Sequence, residues 1–324
     1  MDREKIALLL NPKRVPDPRC ADLFFSLLSD EKLMTETGGQ FLTSFESVQD
    51  SRFAHRYQAL WEAREKILRC VAERHRDGLF AIYTKNKGDD RLRAEYPGEV
   101  SRIKQRSVKN TCLGALARLD TPDIHRITRK QFDTASSATD RLIAFSLILD
   151  STAPDRLEVL DSFEKASAGH PVSWENFLAT IAGSGAPDVS SILTRIENSG
   201  NFRIEQANDQ RALYGRFAMN RKSSLQTEDG RVFLERALVR LAGINEFSTV
   251  NMLHAFDALD NMEEEYHAAL VGILLRLVQG LDPKRAPSVY HTARRILDKS
   301  PLAVENYQNR NGPFIFWQDP AERK

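Results

Sequence analysis

The chain has 324 residues, 41% of them hydrophobic and 28% charged, enough apolar material for a sizeable core. Lys and Arg total 46 against 45 Asp and Glu, a formal net charge of +1, which lacks the clustered positive excess of a nucleic-acid binder. No stretch approaches the roughly 18 apolar residues of a membrane helix, and no secretory leader is read at the start, so neither nucleic acid nor membrane is an expected partner.

Along the chain, apolar residues recur with a helical period. Residues 53 to 81 read as one long helix or two abutting ones, marked by Leu60, Ile67, Leu68 and Val71. Thr121-Pro122-Asp123 has the form of an N-cap followed by proline at the first helical position. Leu142, Phe145, Ile148 and Leu149 form the next stripe. Ala153-Pro154-Asp155 and Ala186-Pro187-Asp188 repeat the proline-and-acid start. Residues 201 to 205 read as a short extended piece, the one exception to the helical pattern. Tyr266, Leu270, Ile273, Leu274, Leu277 and Leu281 then share one helix face, with Glu263, Glu264 and Glu265 at its positive end. Asp282-Pro283 and Ala286-Pro287-Ser288 bracket the entry to a last clear helix, Val289 to Leu297. From Ser300 the period fades, leaving one apolar cluster, Phe314 to Trp317, that either docks on its own domain or serves as a partner-binding arm. Short connections imply antiparallel neighbours. The helix starts recur in pairs of roughly 30 to 40 residues, the scale of helical-repeat solenoids.

Catalytic patterns are missing where they should be. None of the seven histidines opens a His-Glu-x-x-His pair, the one-turn spacing that places two imidazoles on zinc with a glutamate as base. His254 and His267 fall on different expected helices and read as ordinary surface or core histidines. Gly183-Ser184-Gly185 is a loop breaker rather than a nucleophile elbow. Asp89-Asp90 reads as part of a polar turn. Cys20, Cys70 and Cys112 are far apart with no Cys-x-x-Cys, which fits reduced thiols and a cytoplasmic setting. The chain itself is therefore expected to bind no metal or cofactor and to catalyse nothing.

One order of motifs resembles a known family. Ala21-Asp22-Leu23-Phe24 with Asp30-Glu31-Lys32 comes first, then Lys104 to Leu113, then Gln131-Phe132 with Ala135 and Thr139-Asp140, then Trp174-Glu175-Asn176-Phe177. The strongest piece is Asn208 to Phe217, an Asn-x-x-Arg-x-Leu-apolar-Gly-x-Phe element. In sequence these are similar to the C-terminal helical domain of the aminopeptidase N family of zinc gluzincin aminopeptidases. Lys109 stands where that family usually has arginine. Asp229-Gly230 and Phe233-Leu234 persist, but the family's loop histidine and Gly-Tyr do not. At the next helix start, Glu246 replaces proline and Asn251 replaces an arginine.

The resemblance implies an all-α fold, a superhelical array of antiparallel helix pairs of the HEAT/armadillo type. It divides the chain into a lead-in (1–18), the helical domain (19–298) and a tail (299–324). It also implies a part that encloses a peptidase cavity and restricts peptide entry, with zinc held only by a catalytic domain outside this chain, in cis or in trans. Arg211 and Asn251 become candidate peptide-binding positions. The bland alternative for Arg211 is a salt bridge to a neighbouring acid. The alternative for the whole chain is a stand-alone helical scaffold, or an inactive relative, that binds a peptide or protein.

Overall fold

The computed structural model describes residues 1–42, 48–87 and 96–314, so Asp89-Asp90 and the segment from Ile315 to Trp317 lie outside the described residues. The fold is all-α, and the described residues contain no strand. The chain divides into two compact units: Met1–Ala54 with Ala59–Ala166, and His55–Gln58 with Ser167–Lys324.

The first unit is built from α1 (Asp2–Leu10), α2 (Pro18–Ser29), α3 (Glu31–Thr37), α4 (Tyr57–Lys85), α5 (Tyr96–Ala117), α6 (Pro122–Thr134), α7 (Ala138–Leu149) and α8 (Arg156–Ala168). Asp17, Asp30 and Ser137 each accept a backbone N–H at the start of their helices, satisfying donors that the helix itself cannot. Thr121 is the N-cap of α6 with Pro122 at the first position, but its hydroxyl bonds the Asp123 carboxylate instead of the backbone. Helix α8 starts just past Pro154-Asp155. The long helix α4 is both of the forms its sequence allowed: one run, kinked at His75, whose φ/ψ of −124°/28° is not helical. There the Phe25 ring stacks on the His75 imidazole at 4.3 Å and fills the space where Gly78 has no side chain. Phe24, Leu28, Ile67, Val71, Leu79, Cys112, Leu113 and Leu116 close the core.

The second unit contains α9 (Pro171–Ala182), α10 (Val189–Glu197), α11 (Ala207–Gln210), a π-helical turn (Arg211–Gly215), α12 (Arg216–Met219), α13 (Arg221–Ser224), α14 (Glu228–Ala242), α15 (Glu246–Leu253), α16 (Glu264–Gly280), α17 (Pro287–Asp298) and α18 (Pro301–Asn311). It forms two layers. In one, α9 packs on the π turn, the π turn on α15, and α15 on α17; in the other, α10 packs on α14, α14 on α16, and α16 on α18.

A repeat is visible in the bonding. Arg236 reaches Glu197 across 39 residues, Arg276 reaches Glu235 across 41, and the Asp260 carboxylate accepts the Leu302 N–H across 42. Each offset is close to one helical repeat, about 40 residues in armadillo-like folds. Such offsets tie each helix pair to the next.

Three expectations change. Helix α16 is buried on more than one stripe, since Val271, Leu275 and Val278 are as enclosed as Leu270 and Leu274; it lies between neighbours rather than on a surface. Residues 301–311 are helical although their period is faint, because Ala303 is the only buried residue of α18. Proline at the first position and the Asp260 carboxylate start that helix from outside. Residues 201 to 205 form a turn, with Phe202 and Ile204 buried.

Candidate functional site: the layer of the π-helical turn

Residues 207–219 are anchored at their N-terminal end. The buried Asp209 carboxylate accepts the Arg203 backbone N–H at 2.9 Å and the Trp174 indole N–H at 3.3 Å. The Gln210 amide donates to the Ile204 carbonyl and accepts from the Asn245 side chain at 2.7 Å. Just past these anchors the backbone widens: Arg216 N–H bonds back to the Arg211 carbonyl, five residues away. A π turn inserts one extra residue per turn, costs regular hydrogen bonding, and recurs at functional positions.

Arg211 is the first residue of that turn. Its guanidinium donates to Glu175 Oε2 at 3.0 Å, while Asn208 donates to Glu175 Oε1 at 2.7 Å. The Arg211 side chain is 72% exposed and that of Glu175 only 27%. One edge of the guanidinium is therefore paired and the others face water. This is the salt bridge that stood as the bland alternative, and it leaves donors for a second carboxylate.

Asn251 lies on α15, which packs on the π turn. It is exposed, and its side chain has no hydrogen-bonding partner among the described residues. The two candidates thus share a layer, but the structure places no bond between them. Glu175 was not singled out as Arg211's partner, although the two are 36 residues apart, close to one repeat, and that offset was the available signal.

The departures from the family motif have structural roles here. Glu246, in place of proline, accepts the Ser288 N–H at 2.6 Å and the Val289 N–H at 3.3 Å, capping α17, which has no side-chain cap of its own. Gln226, in the loop without histidine, is buried, accepts the Gln58 N–H and donates to Glu263. Glu263 also pairs with Arg56 at 2.6 Å. Asp229-Gly230 persists for a steric reason: a Cβ on Gly230 would sit 1.8 Å from the Ser223 carbonyl oxygen.

The two histidines nearest to a zinc pairing in the sequence each have another partner. His267 is fully buried, with Nε2 on the Met262 carbonyl and Nδ1 facing the Asn306 amide; His254 pairs with Asp257 at the surface. Among the described residues no group of three or more His, Cys, Asp or Glu is placed to hold a metal ion. No helix among them is long and apolar enough to cross a membrane.

Together, a layered array of helix pairs offset by about one repeat and an irregular turn carrying a half-paired arginine define an armadillo-type repeat protein. A family described as "Domain of unknown function (DUF3458_C) ARM repeats" matches residues 3–298, and the chain belongs to it, as the C-terminal helical domain of aminopeptidase N-like proteins. Aminopeptidase N of Escherichia coli (strain K12) is 28% identical over 219 residues, which cover 66% of this chain and 24% of that protein. Aminopeptidase A of Legionella pneumophila, solved in complex with aspartic acid, shares the fold with a TM-score of 0.77 at 18% identity, covering 92% of this chain and 36% of that one. The chain therefore spans 24% to 36% of the length of these relatives.

Proposed function

We propose that this chain is the non-catalytic helical part of an aminopeptidase N-like metallopeptidase. In this reading it walls the active-site cavity, restricts which peptides enter, and holds no zinc of its own. Its partner is a catalytic domain bearing His-Glu-x-x-His, in cis or in trans, and peptide passes along the layer carrying Arg211 and Asn251. The observation that carries the reading is the family match over nearly the whole chain, joined to the short share of the peptidase relative that it covers. Exclusion and orientation of substrate are physical contributions that need no reacting group in this chain. The three free cysteines favour a reducing, cytoplasmic compartment.

The test is an aminoacyl fluorogenic substrate offered to the purified chain with and without zinc, and again after mixing with a zinc-bearing catalytic domain. The expected result is no turnover alone and altered peptide-length selectivity in the mixture. Chelator-sensitive turnover by the chain alone overturns the reading.

A second reading is a stand-alone scaffold. It is favoured by Asn251 in place of a cation and by Glu175 already occupying one edge of Arg211. It predicts a stable partner that is not a peptidase.

A further inference from the structure

The two layers of the second unit treat their charges differently. In the layer of α10, α14, α16 and α18 the exposed arginines of α14 and α16 are matched from within, whereas Arg310 on α18 has no ion-pair partner among the described residues. Arg236 and Arg240 share the buried Glu197 at 2.6 and 2.7 Å, and Arg276 pairs with Glu235. The other layer is matched only in part. Arg211 keeps free edges beside Glu175. Arg216 and Arg295 are exposed and have no ion-pair partner among the described residues, and Arg294 is exposed beside Arg295. On the helices of this layer Asp298 is the one exposed acid among the described residues.

Apolar surface lies among these cations. Phe247, in the first turn of α15, is 76% exposed and Met219, at the end of α12, is 40% exposed. The helices run in register, since Glu175 meets Asn208 and Arg211, Gln210 meets Asn245, and Glu246 meets Ser288. In the inner members of the layer, residues 207–219 and α15, both flanks are packed against neighbours. Their exposed residues therefore share the face turned away from the other layer. A phenylalanine that keeps three quarters of its surface in water adds little to the chain's own packing. Carboxylates on a partner would find planar, bidentate donors there, and an apolar side chain would find the ring.

We propose that this face docks an acidic stretch of polypeptide, with its carboxylates on Arg216, Arg295 and the free edges of Arg211, and an apolar side chain against Phe247. The proposal rests on the peptide-facing reading of this layer and adds the chemistry of what it takes. Charge complementarity sets the choice: arginines with donors to spare select acidic residues, while a net charge of +1 over the chain gives nucleic acid no electrostatic footprint.

The experiment is fluorescence anisotropy of the full chain with a labelled peptide of repeated Glu-Glu-Leu units, its Lys-Lys-Leu counterpart, and a labelled single-stranded oligodeoxynucleotide. The Glu-Glu-Leu peptide is expected to bind and to weaken as salt is raised. Binding should fall about tenfold or more in R216E/R295E and again in Phe247→Ser, the scale of a lost anchor. Val232→Ser, on the opposite layer, should leave it unchanged. The milder R216Q/R295Q pair keeps the measurement readable if reversed charges unfold the layer. Equal binding of both peptides overturns the charge preference while sparing the peptide-facing reading; binding of neither overturns both. Tighter binding of the oligodeoxynucleotide, or an equal loss in Val232→Ser, overturns the assignment to this face.

Discussion

Lys109 and Asp140 face one another inside the first unit with 8% and 3% of their side chains exposed. The other carboxylate oxygen accepts the Asn110 amide at 2.7 Å; Gln131 bridges Asn110 and the Asp140 carbonyl, and Tyr83 donates to Gln131 at 3.2 Å. Three stretches of the family-like sequence, on α5, α6 and α7, thus meet in one buried polar network. Removing one partner of a buried pair strands the other charge, at about 3 to 5 kcal/mol. Lys109→Met is therefore expected to destabilise the first unit by about 3 kcal/mol in urea titration. Lys109→Met combined with Asp140→Asn should recover much of it, and a double variant no better than the single one argues that the pair is not coupled.

Gly230 and Gly243 make opposite predictions at the two ends of α14. A Cβ at Gly230 meets the Ser223 carbonyl, whereas one at Gly243 meets nothing within 4 Å. Gly230→Ala should cost about 1 to 3 kcal/mol through overpacking. Gly243→Ala should be neutral or gain about 0.5 kcal/mol, because its φ of −81° suits any residue and the unfolded chain loses freedom. Thermal melts of the two variants decide it.

At high pH, Cys112 and Tyr83 are both held neutral by burial. The thiol is pushed up from its ordinary 9.0 to about 12, and the phenol from 10.0 to about 12, with the Asp140 carboxylate a lesser cause for the phenol. The unfolded chain releases these protons first. Their contribution is complete below about pH 9 and is lost as pH climbs towards 12. Tyr214 is pushed up in the same direction, by burial and then by the Glu197 carboxylate that accepts its proton. Alkaline denaturation should therefore coincide with phenolate absorbance, and Tyr83→Phe should soften the fall. Phenolate appearing well before unfolding contradicts this.

Glu246→Ala should remove the one carboxylate oxygen, Oε2, that accepts two N–H groups at the start of α17. A lost cap costs about 1 kcal/mol. The localised signature is faster hydrogen exchange at Ser288 and Val289. Exchange unchanged at those two amides shows that water replaces the cap without loss.

Much of this was legible from local pattern. Pro122 and Pro287 each sit at a helix's first position, a preference set within one turn of chain. The stripe of Leu142 to Leu149 and the absence of any strand among the described residues were legible for the same reason. What stayed hidden depends on neighbours a repeat away. Glu246 and Asp260 look like surface acids until the helices they cap are placed beside them. The π turn at Arg211 obeys the same apolar spacing as an ordinary helix, so its widening leaves no mark in the residue pattern. Arg211 and Asn251 were reachable only through resemblance, since a lone cation on a helix says nothing of what it faces.

Most ties in the second unit join residues about one repeat apart, but the segment His55–Gln58 does not follow that rule. Arg56 holds Glu263 across 207 residues and Gln58 holds Gln226 across 168. On a ribosome adding roughly 5 to 20 residues per second, that partner emerges about 10 to 40 s after the arginine. The repeats can stack as they are made, while this early strip waits for its counterpart. Vectorial synthesis therefore makes a segment translated well before its counterparts one of the last parts of the unit to be locked down.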